Sequence, residues 1–332
     1  MNRRKLITQV TGLTAAAAAG LWPHDVYAQS KPVVRLGLAS FGARDDRLDG
    51  YAALFERLAE LGYIDGRNLH VDFSGNLAPE GLLNAYTRAV QRGATVLFAS
   101  GHDITLFAAQ VASAGRIPIV FVAMDYDPVR LGYVQSVRHP GANRTGIFVR
   151  QPELAAKRVE LAHEALPKVH RLVLWQTPNY REQVDAATNA AQTLGLETSQ
   201  VEMNGNPRQS FVPLFELTAH VGPSAVILPS SNQVRTARTE ICRLALERGM
   251  PLIAAEREIV EAGALMSYGI SIDRAYREAA DYIDRIARGE KPDDLPLMQP
   301  TRFELAVNAR TAKALSITLP PDFLARVDQL IE

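Results

Sequence analysis

From Val33 onward, short apolar runs alternate with longer segments in which apolar residues recur at helical spacing. Val33 to Ala39 predicts a strand. Asp46 to Leu61 predicts a helix with Leu48, Tyr51, Phe55 and Leu58 on one face, stopped at Gly62. A strand over Leu69 to Phe73, a helix over Pro79 to Arg92, a strand over Thr95 to Ala99 and a helix from Asp103 to about Ala114 continue the alternation. Then comes Ile117-Pro-Ile-Val-Phe-Val-Ala-Met-Asp-Tyr-Asp-Pro128, an apolar strand that runs straight into two acids. A strand without polar alternation is covered on both faces, as in a parallel sheet between helices.

Thr145 to Val149 predicts a short crossing strand, after which the pattern restarts. Helix Glu153–Ala165, strand Leu172–Trp175, helix Arg181–Leu194, strand Glu197–Met203, helix Pro207–His220 and strand Ala225–Leu228 follow. A further helix runs to about Arg248, and the strand Met250-Pro-Leu-Ile-Ala-Ala255 ends at Glu256-Arg257-Glu258. The halves echo each other: in each, the fourth strand opens on an apolar residue and a proline and ends at acids. Alternation of this kind predicts α/β lobes with parallel sheets and right-handed crossovers. The last third is too short for a third lobe. Leu265–Tyr268 predicts a strand, and Ile272–Ile286 a helix with Ile272, Ala275, Ala279, Ile283 and Ile286 on one stripe. A strand over Phe303–Val307, a short helix and a Pro320-Pro321 tail complete the chain. The division expected is two Rossmann-like lobes, 29–148 plus 266–297 and 149–265 plus 298–332, joined by a multi-crossing hinge.

The first 28 residues change that picture only by standing outside it. Arg3, Arg4 and Lys5, the apolar stretch Leu6–Trp22 and the small-residue pattern Val26-Tyr-Ala28 are expected to be an export signal, Sec or twin-arginine. That places the remainder in the periplasm. Equal numbers of basic and acidic residues, 36 each, argue against a nucleic-acid partner. The single cysteine, Cys242, rules out an internal disulfide and reads as a small buried side chain.

Catalytic and cofactor signatures are missing. No G-x-G-x-x-G, phosphate-binding loop or nucleophile elbow occurs, and the histidines have no metal-ligand spacing. The expectation is a protein without cofactor or metal, and not an enzyme. The strand-end loops are rich in hydrogen-bonding groups instead. In open α/β sheets, ligands bind beyond the carboxyl ends of the strands. Candidate ligand residues in lobe one are Ser40, Phe41, Gly101, His102, Asp103, Asp125 and Asp127. In lobe two they are Asn179, Tyr180, Ser230, Ser231, Asn232, Glu256 and Arg257, and Tyr268 is a further candidate. Asp103 and Ser231 also suit helix N-caps, and Asp127 before Pro128 suits a turn. Asp125 has no evident local duty.

Several stretches together resemble one family. They are Leu61-Gly-Tyr-Ile-Asp-Gly-Arg-Asn68, Ile117-Pro-Ile-Val-Phe-Val122 with Asp127-Pro-Val129, and Pro140-Gly-Ala-Asn-Arg-Thr-Gly146. Later come Arg257-Glu-Ile-Val-Glu-Ala-Gly-Ala-Leu-Met-Ser-Tyr-Gly269, Gln299-Pro-Thr-Arg-Phe-Glu-Leu-Ala-Val-Asn308 and Thr311-Ala-Lys-Ala-Leu315. The chain resembles the ABC-transporter substrate-binding family of the TrpX-like group, whose named members bind tryptophan or tyrosine. The resemblance implies the type I periplasmic-binding architecture, closure over a small solute, and delivery to a membrane permease driven by an ATPase. The departures fall in the cleft loops: Gly101-His102-Asp103, Gln176-Thr177-Pro178 and Ile270-Ser271-Ile272-Asp273 stand where the family shows other patterns. The expected protein is a monomeric receptor for an amino-acid-like or aromatic solute. A ligand-sensing module for a membrane sensor or chemoreceptor is the alternative.

Overall fold

The computed structural model describes residues 31–42, 50–115, 117–176, 180–202 and 224–332. The expected export signal, Asn179, the start of the first expected helix and the helix expected at Pro207–His220 lie outside them.

Two sheets organise the chain. The first has five parallel strands in the order β2-β1-β3-β4-β5. They are β1 (Val34–Ala39), β2 (Leu69–Ser74), β3 (Val96–Ser100), β4 (Ile119–Ala123) and β5 (Arg144–Phe148). Helices α1 (Tyr51–Glu60), α2 (Pro79–Gln91) and α3 (His102–Gly115) connect them. Every residue of β3 and β4 is buried, as their unbroken apolar runs require. The expected crossing strand is thus a full member of this sheet, beside β4. Gly146 is what lets it approach: a Cβ there would lie 1.9 Å from the Phe121 carbonyl oxygen.

The second sheet has seven strands. They are β6 (Arg171–Gln176), β7 (Glu197–Glu202), β8 (Ser224–Ile227), β9 (Leu252–Ala254), β10 (Met266–Gly269), β11 (Glu304–Asn308) and β12 (Gln329–Ile331). Their order is β12-β11-β10-β9-β8-β6-β7, with only β10 and β11 antiparallel. Around them lie α4 (Gln151–Ala165), α5 (Arg181–Thr193), α6 (Asn232–Glu247) and α7 (Arg257–Glu261). The closing strand β12 was not foreseen in the Pro-rich tail. It pairs parallel with β11.

One boundary needs correction. Met266–Gly269 does not join lobe one, as the segment 266–297 had it. It pairs with β9 and β11 in the second sheet. Only the helix that follows, α8 (Ile272–Ala287), crosses back. Its stripe Ile272, Ala275, Ala279, Ile283 and Ile286 is buried against the first lobe. Tyr276 meets Tyr51 there edge to face at 5.4 Å. The chain therefore passes between sheets after β5, after β10 and again before β11. The last passage leaves from beside β5, where Met298 exchanges backbone hydrogen bonds with Gly146 and Phe148.

Candidate functional site

The carboxyl ends of both sets of parallel strands face one another. Between them lies a cavity of about 300 Å³. Lobe one contributes His102, Asp125, Tyr126, Asp127, Arg130, Leu131 and Phe148. The first crossing contributes Val149 and Arg150, and lobe two Gln151, Pro152, Glu153, Tyr180, Glu182 and Gln183. A second hollow, of about 20 Å³, lies between Ser40, Phe41, Ser100, Asn232 and Arg235.

The lobes touch at several points. Gly101 adopts φ +91°, and a Cβ there would lie 2.3 Å from the Asn232 amide nitrogen. Glycine is therefore required both by the backbone and by the opposite lobe. The Tyr180 hydroxyl donates to Asp125 Oδ2 at 3.4 Å. Arg235 Nη1 approaches Met124 Sδ at 3.9 Å. At the rim, Arg130 and Glu182 form an ion pair of 2.7 Å.

Asp125 does have a local duty, contrary to expectation. Its Oδ1 accepts the His102 backbone N–H at 3.1 Å, the first turn of α3. No sequence spacing reveals a cap that comes from 23 residues away on another strand end. Burial raises the Asp125 carboxyl to about 6, against the pull of Arg235 and His102. His102 is half-buried between charges: the Asp103 carboxylate at 3.1 Å raises its pKa. Its ring lies 5.6 Å from that of Tyr126, which donates to Thr105 Oγ1 at 3.0 Å.

Other candidates turn out to be framework. Asp127 accepts from Val129 and Arg130 N–H groups at 2.9 and 3.0 Å, so it closes a turn while lining the cavity. Ser231 caps α6 by accepting from Val234 N–H. Ser40 accepts from Gly42 N–H at the edge of the small hollow, where Phe41 also lies. Ser230 is buried, held by both ends of the Gln183 amide, and its hydroxyl donates to Glu256. Glu256 is buried in the field of Arg235 and Arg158.

Two candidates are corrected. Arg257 turns from the cleft to Glu261 at 3.1 Å and to Gln329 on β12. Tyr268 packs on Phe303 at 5.9 Å, and its carbonyl accepts from Arg158 Nε at 2.8 Å. Neither lines either hollow. Sequence reading in turn passed over Gln151, Gln183 and the Arg130–Glu182 pair. Gln151 and Gln183 each sit in the first turn of a helix leaving the cleft, which is the signal that was available. It also passed over Arg158. This guanidinium is wholly buried and holds Gln151 Oε1 at 2.8 Å as well as the Tyr268 carbonyl. Its burial brings it down to about 10.

The sequence model for the family described as ABC transporter substrate binding protein matches residues 36–331. The chain belongs to the ABC transporter substrate-binding protein family. A curated relative from Clostridioides difficile (strain R20291), named "Tyrosine-binding protein", is 24% identical over 94% of this chain and 89% of its own length. Among solved structures, an ABC domain in complex with L-Trp from Streptococcus pneumonia matches with a TM-score of 0.78 at 21% identity. It covers 89% of this chain and 100% of that one. A ligand-free, open substrate binding protein with adhesive properties from Clostridium difficile matches with a TM-score of 0.64 at 23% identity, over 89% and 98%. These likenesses establish the two-lobe type I periplasmic-binding fold. As a member of this family the chain is a solute-binding protein, not an enzyme. Among the described residues, no cluster of histidine, cysteine and acidic groups would hold a metal, and no helix is long and apolar enough to cross a membrane.

Proposed function

We propose that this chain is the solute receptor of an ABC importer, exported to the periplasm as a monomer, and that the interlobe cavity is where the solute sits. The observation that carries this is the make-up of the cavity wall: both lobes and the crossing between them contribute to it. A solute held by both walls contacts each fully only in the closed state. Binding then shifts the population toward closure, in proportion to the difference in affinity for the two states. The membrane permease reads the closed form, and its ATPase drives release.

The volume of about 300 Å³ suits a small organic molecule, at the lower end of the usual range for ligand pockets. Tyr126, Tyr180 and Phe148 supply aromatic surface, and Gln151 and Gln183 supply amides. That lining fits an amino-acid-like or aromatic solute, the class to which the ligands named for the relatives belong.

A thermal-shift screen of amino acids, amines, aromatic acids and short organic acids tests the proposal. A true ligand at one hundred times its dissociation constant stabilises the protein by about 2.7 kcal/mol. It should also shrink the radius of gyration in solution scattering. Chemical turnover of the bound solute, or stabilisation by none of the panel, would overturn the proposal.

A further inference from the structure

We infer that Arg158 is a positioning residue for solute binding: from beneath the cleft it fastens the first interlobe crossing to the second and turns the Gln151 amide toward the solute. The inference rests on the receptor reading above and adds to it a residue that never touches the solute.

Arg158 lies wholly buried on α4. A guanidinium only donates, and a buried one is expected to meet a carboxylate. Glu256 acts on Arg158 through space, but the hydrogen bonds go to neutral acceptors. Nε donates to the Tyr268 carbonyl and Nη2 to Gln151 Oε1, both at 2.8 Å. These two acceptors share a place in the chain. Gln151 opens α4 directly after the first crossing, and Tyr268 lies at the end of β10, directly before the second.

The three crossings are tied together differently at their two ends. On the lobe-one side, backbone joins the first to the third: Met298 N–H donates to the Gly146 carbonyl at 2.9 Å, and Phe148 N–H to the Met298 carbonyl at 2.8 Å. On the lobe-two side, the β10–β11 ladder joins the second to the third, with Gly269 opposite Glu304 and the Tyr268 ring on Phe303. There the Arg158 side chain ties in the first. Lobe rotation must turn all three crossings together. A planar guanidinium bonded in two fixed directions makes the first crossing follow the second.

The same bond decides which end of the Gln151 amide the solute meets. Arg158 can only donate, so Gln151 presents its oxygen to it. Gln151 lines the cavity, and its amide nitrogen is left to face a hydrogen-bond acceptor on the solute. Gln183 on α5 differs: both ends of its amide are bonded to the Ser230 backbone.

Spin labels on the two lobes test this without any solute. Asn84 on α2 and Gln192 on α5 are exposed, and Cys242 is buried, so Asn84→Cys with Gln192→Cys takes the labels. Arg158→Lys keeps a positive charge near Glu256 but cannot span both acceptors. Its ligand-free interlobe distance distribution should be broader than that of the wild type. Gln151→Met, which keeps the guanidinium and removes its acceptor, should broaden it as well. Gln151→Glu offers Arg158 an oxygen again and should restore the wild-type distribution, an order that a general loss of stability does not produce. With L-tryptophan and L-tyrosine as calorimetric probes, Arg158→Lys and Gln151→Met should each weaken binding about tenfold. Combining them should cost little more than either alone, because both break one bridge. Gln151→Glu should weaken the probes despite its restored distribution, because the N–H is gone. Wild-type distributions in folded Arg158→Lys and Gln151→Met, or additive losses of affinity, overturn the positioning role and leave the receptor reading standing. If Arg158→Lys does not fold, Gln151→Met against Gln151→Glu decides the matter. If neither probe binds the wild type, the distance distributions still decide the role of Arg158, and the wider screen decides the receptor reading.

Discussion

Asp125 and Glu256 hold matching places in the two lobes. Each lies two residues beyond a strand, β4 or β9, that follows an apolar-proline pair. Each is buried, and burial raises the pKa of each. Their surroundings differ. Glu256 takes the Ser230 hydroxyl, lies in the field of two buried guanidiniums, Arg235 and Arg158, and is absent from both hollows. Asp125 has neutral donors and an open side on the cavity. The same sequence signal, an acid just past a strand, thus yields a framework charge in one lobe and an available one in the other. What separates them comes from elements far away in the chain: Arg235 of α6 acts on both acids, but α4 adds Arg158 and the β8 end adds the Ser230 hydroxyl at Glu256, whereas α3 and Tyr180 bring an N–H and a hydroxyl to Asp125.

The largest effect should come from removing a framework cation. Arg158→Met leaves Glu256 buried beside one guanidinium fewer and frees the Gln151 amide. A loss of about 3–5 kcal/mol, read from urea denaturation, is expected for stripping one partner from a buried charge cluster. A variant with unchanged midpoint would show that Glu256 does not depend on Arg158.

Next comes a pair that differs in size. The folded pKa of Asp125, about 6, lies above its ordinary 3.8, so the native state holds this proton more tightly than the unfolded chain. The stability this supplies is full below about 3.8 and is lost as the pH rises through 6. Ligand-free Asp125→Asn should therefore gain on the order of 1–2 kcal/mol over wild type at pH 7.5, an advantage that vanishes toward pH 4. Glu256 is also raised by burial, so Glu256→Gln should share the sign but gain less at pH 7.5, because Arg235, Arg158 and the Ser230 hydroxyl oppose the rise and lose their carboxylate. Glu258, raised by burial to about 7, adds to the acid-side gain in every variant, so the differences between proteins carry the information. Equal gains for the two substitutions would erase the distinction.

Gly101→Ala would place a methyl against Asn232 at φ +91°. Strain of roughly 1–3 kcal/mol is expected, and it falls most heavily on the closed state. Weaker solute binding with a larger radius of gyration would show it. The smallest effect belongs to the rim. Arg130→Ala breaks a pair whose side chains are 60% and 39% exposed, and at most about 0.5 kcal/mol should follow. It should appear mainly as faster solute release.

Much of this was legible in the chain. Periodicity located the strands and helices, and the repeat of apolar-proline strands ending in acids announced two similar lobes. The stripe of α8 was read residue by residue. What periodicity cannot give is the sheet that a short strand joins. Met266–Gly269 has the composition of a short strand that either lobe would accept, and only its pairing with β9 and β11 assigns it. The site was legible as a set of loops rather than a set of contacts. His102, Asp125, Asp127 and Tyr180 do line the cavity, while Arg257 and Tyr268 follow their own elements away from it. Arg158 was illegible because it reads as one more polar position on an amphipathic helix. Its role depends on Gln151 and Tyr268, which lie 7 and 110 residues away.

The most direct measurement is calorimetric titration of wild type, Asp125→Asn and Glu256→Gln with whichever solute of the screen binds the wild type best. The account expects Asp125→Asn to lose about 30-fold or more while Glu256→Gln stays within about threefold, as for a residue that does not touch the ligand. The reverse ranking, or equal losses in both, would contradict it.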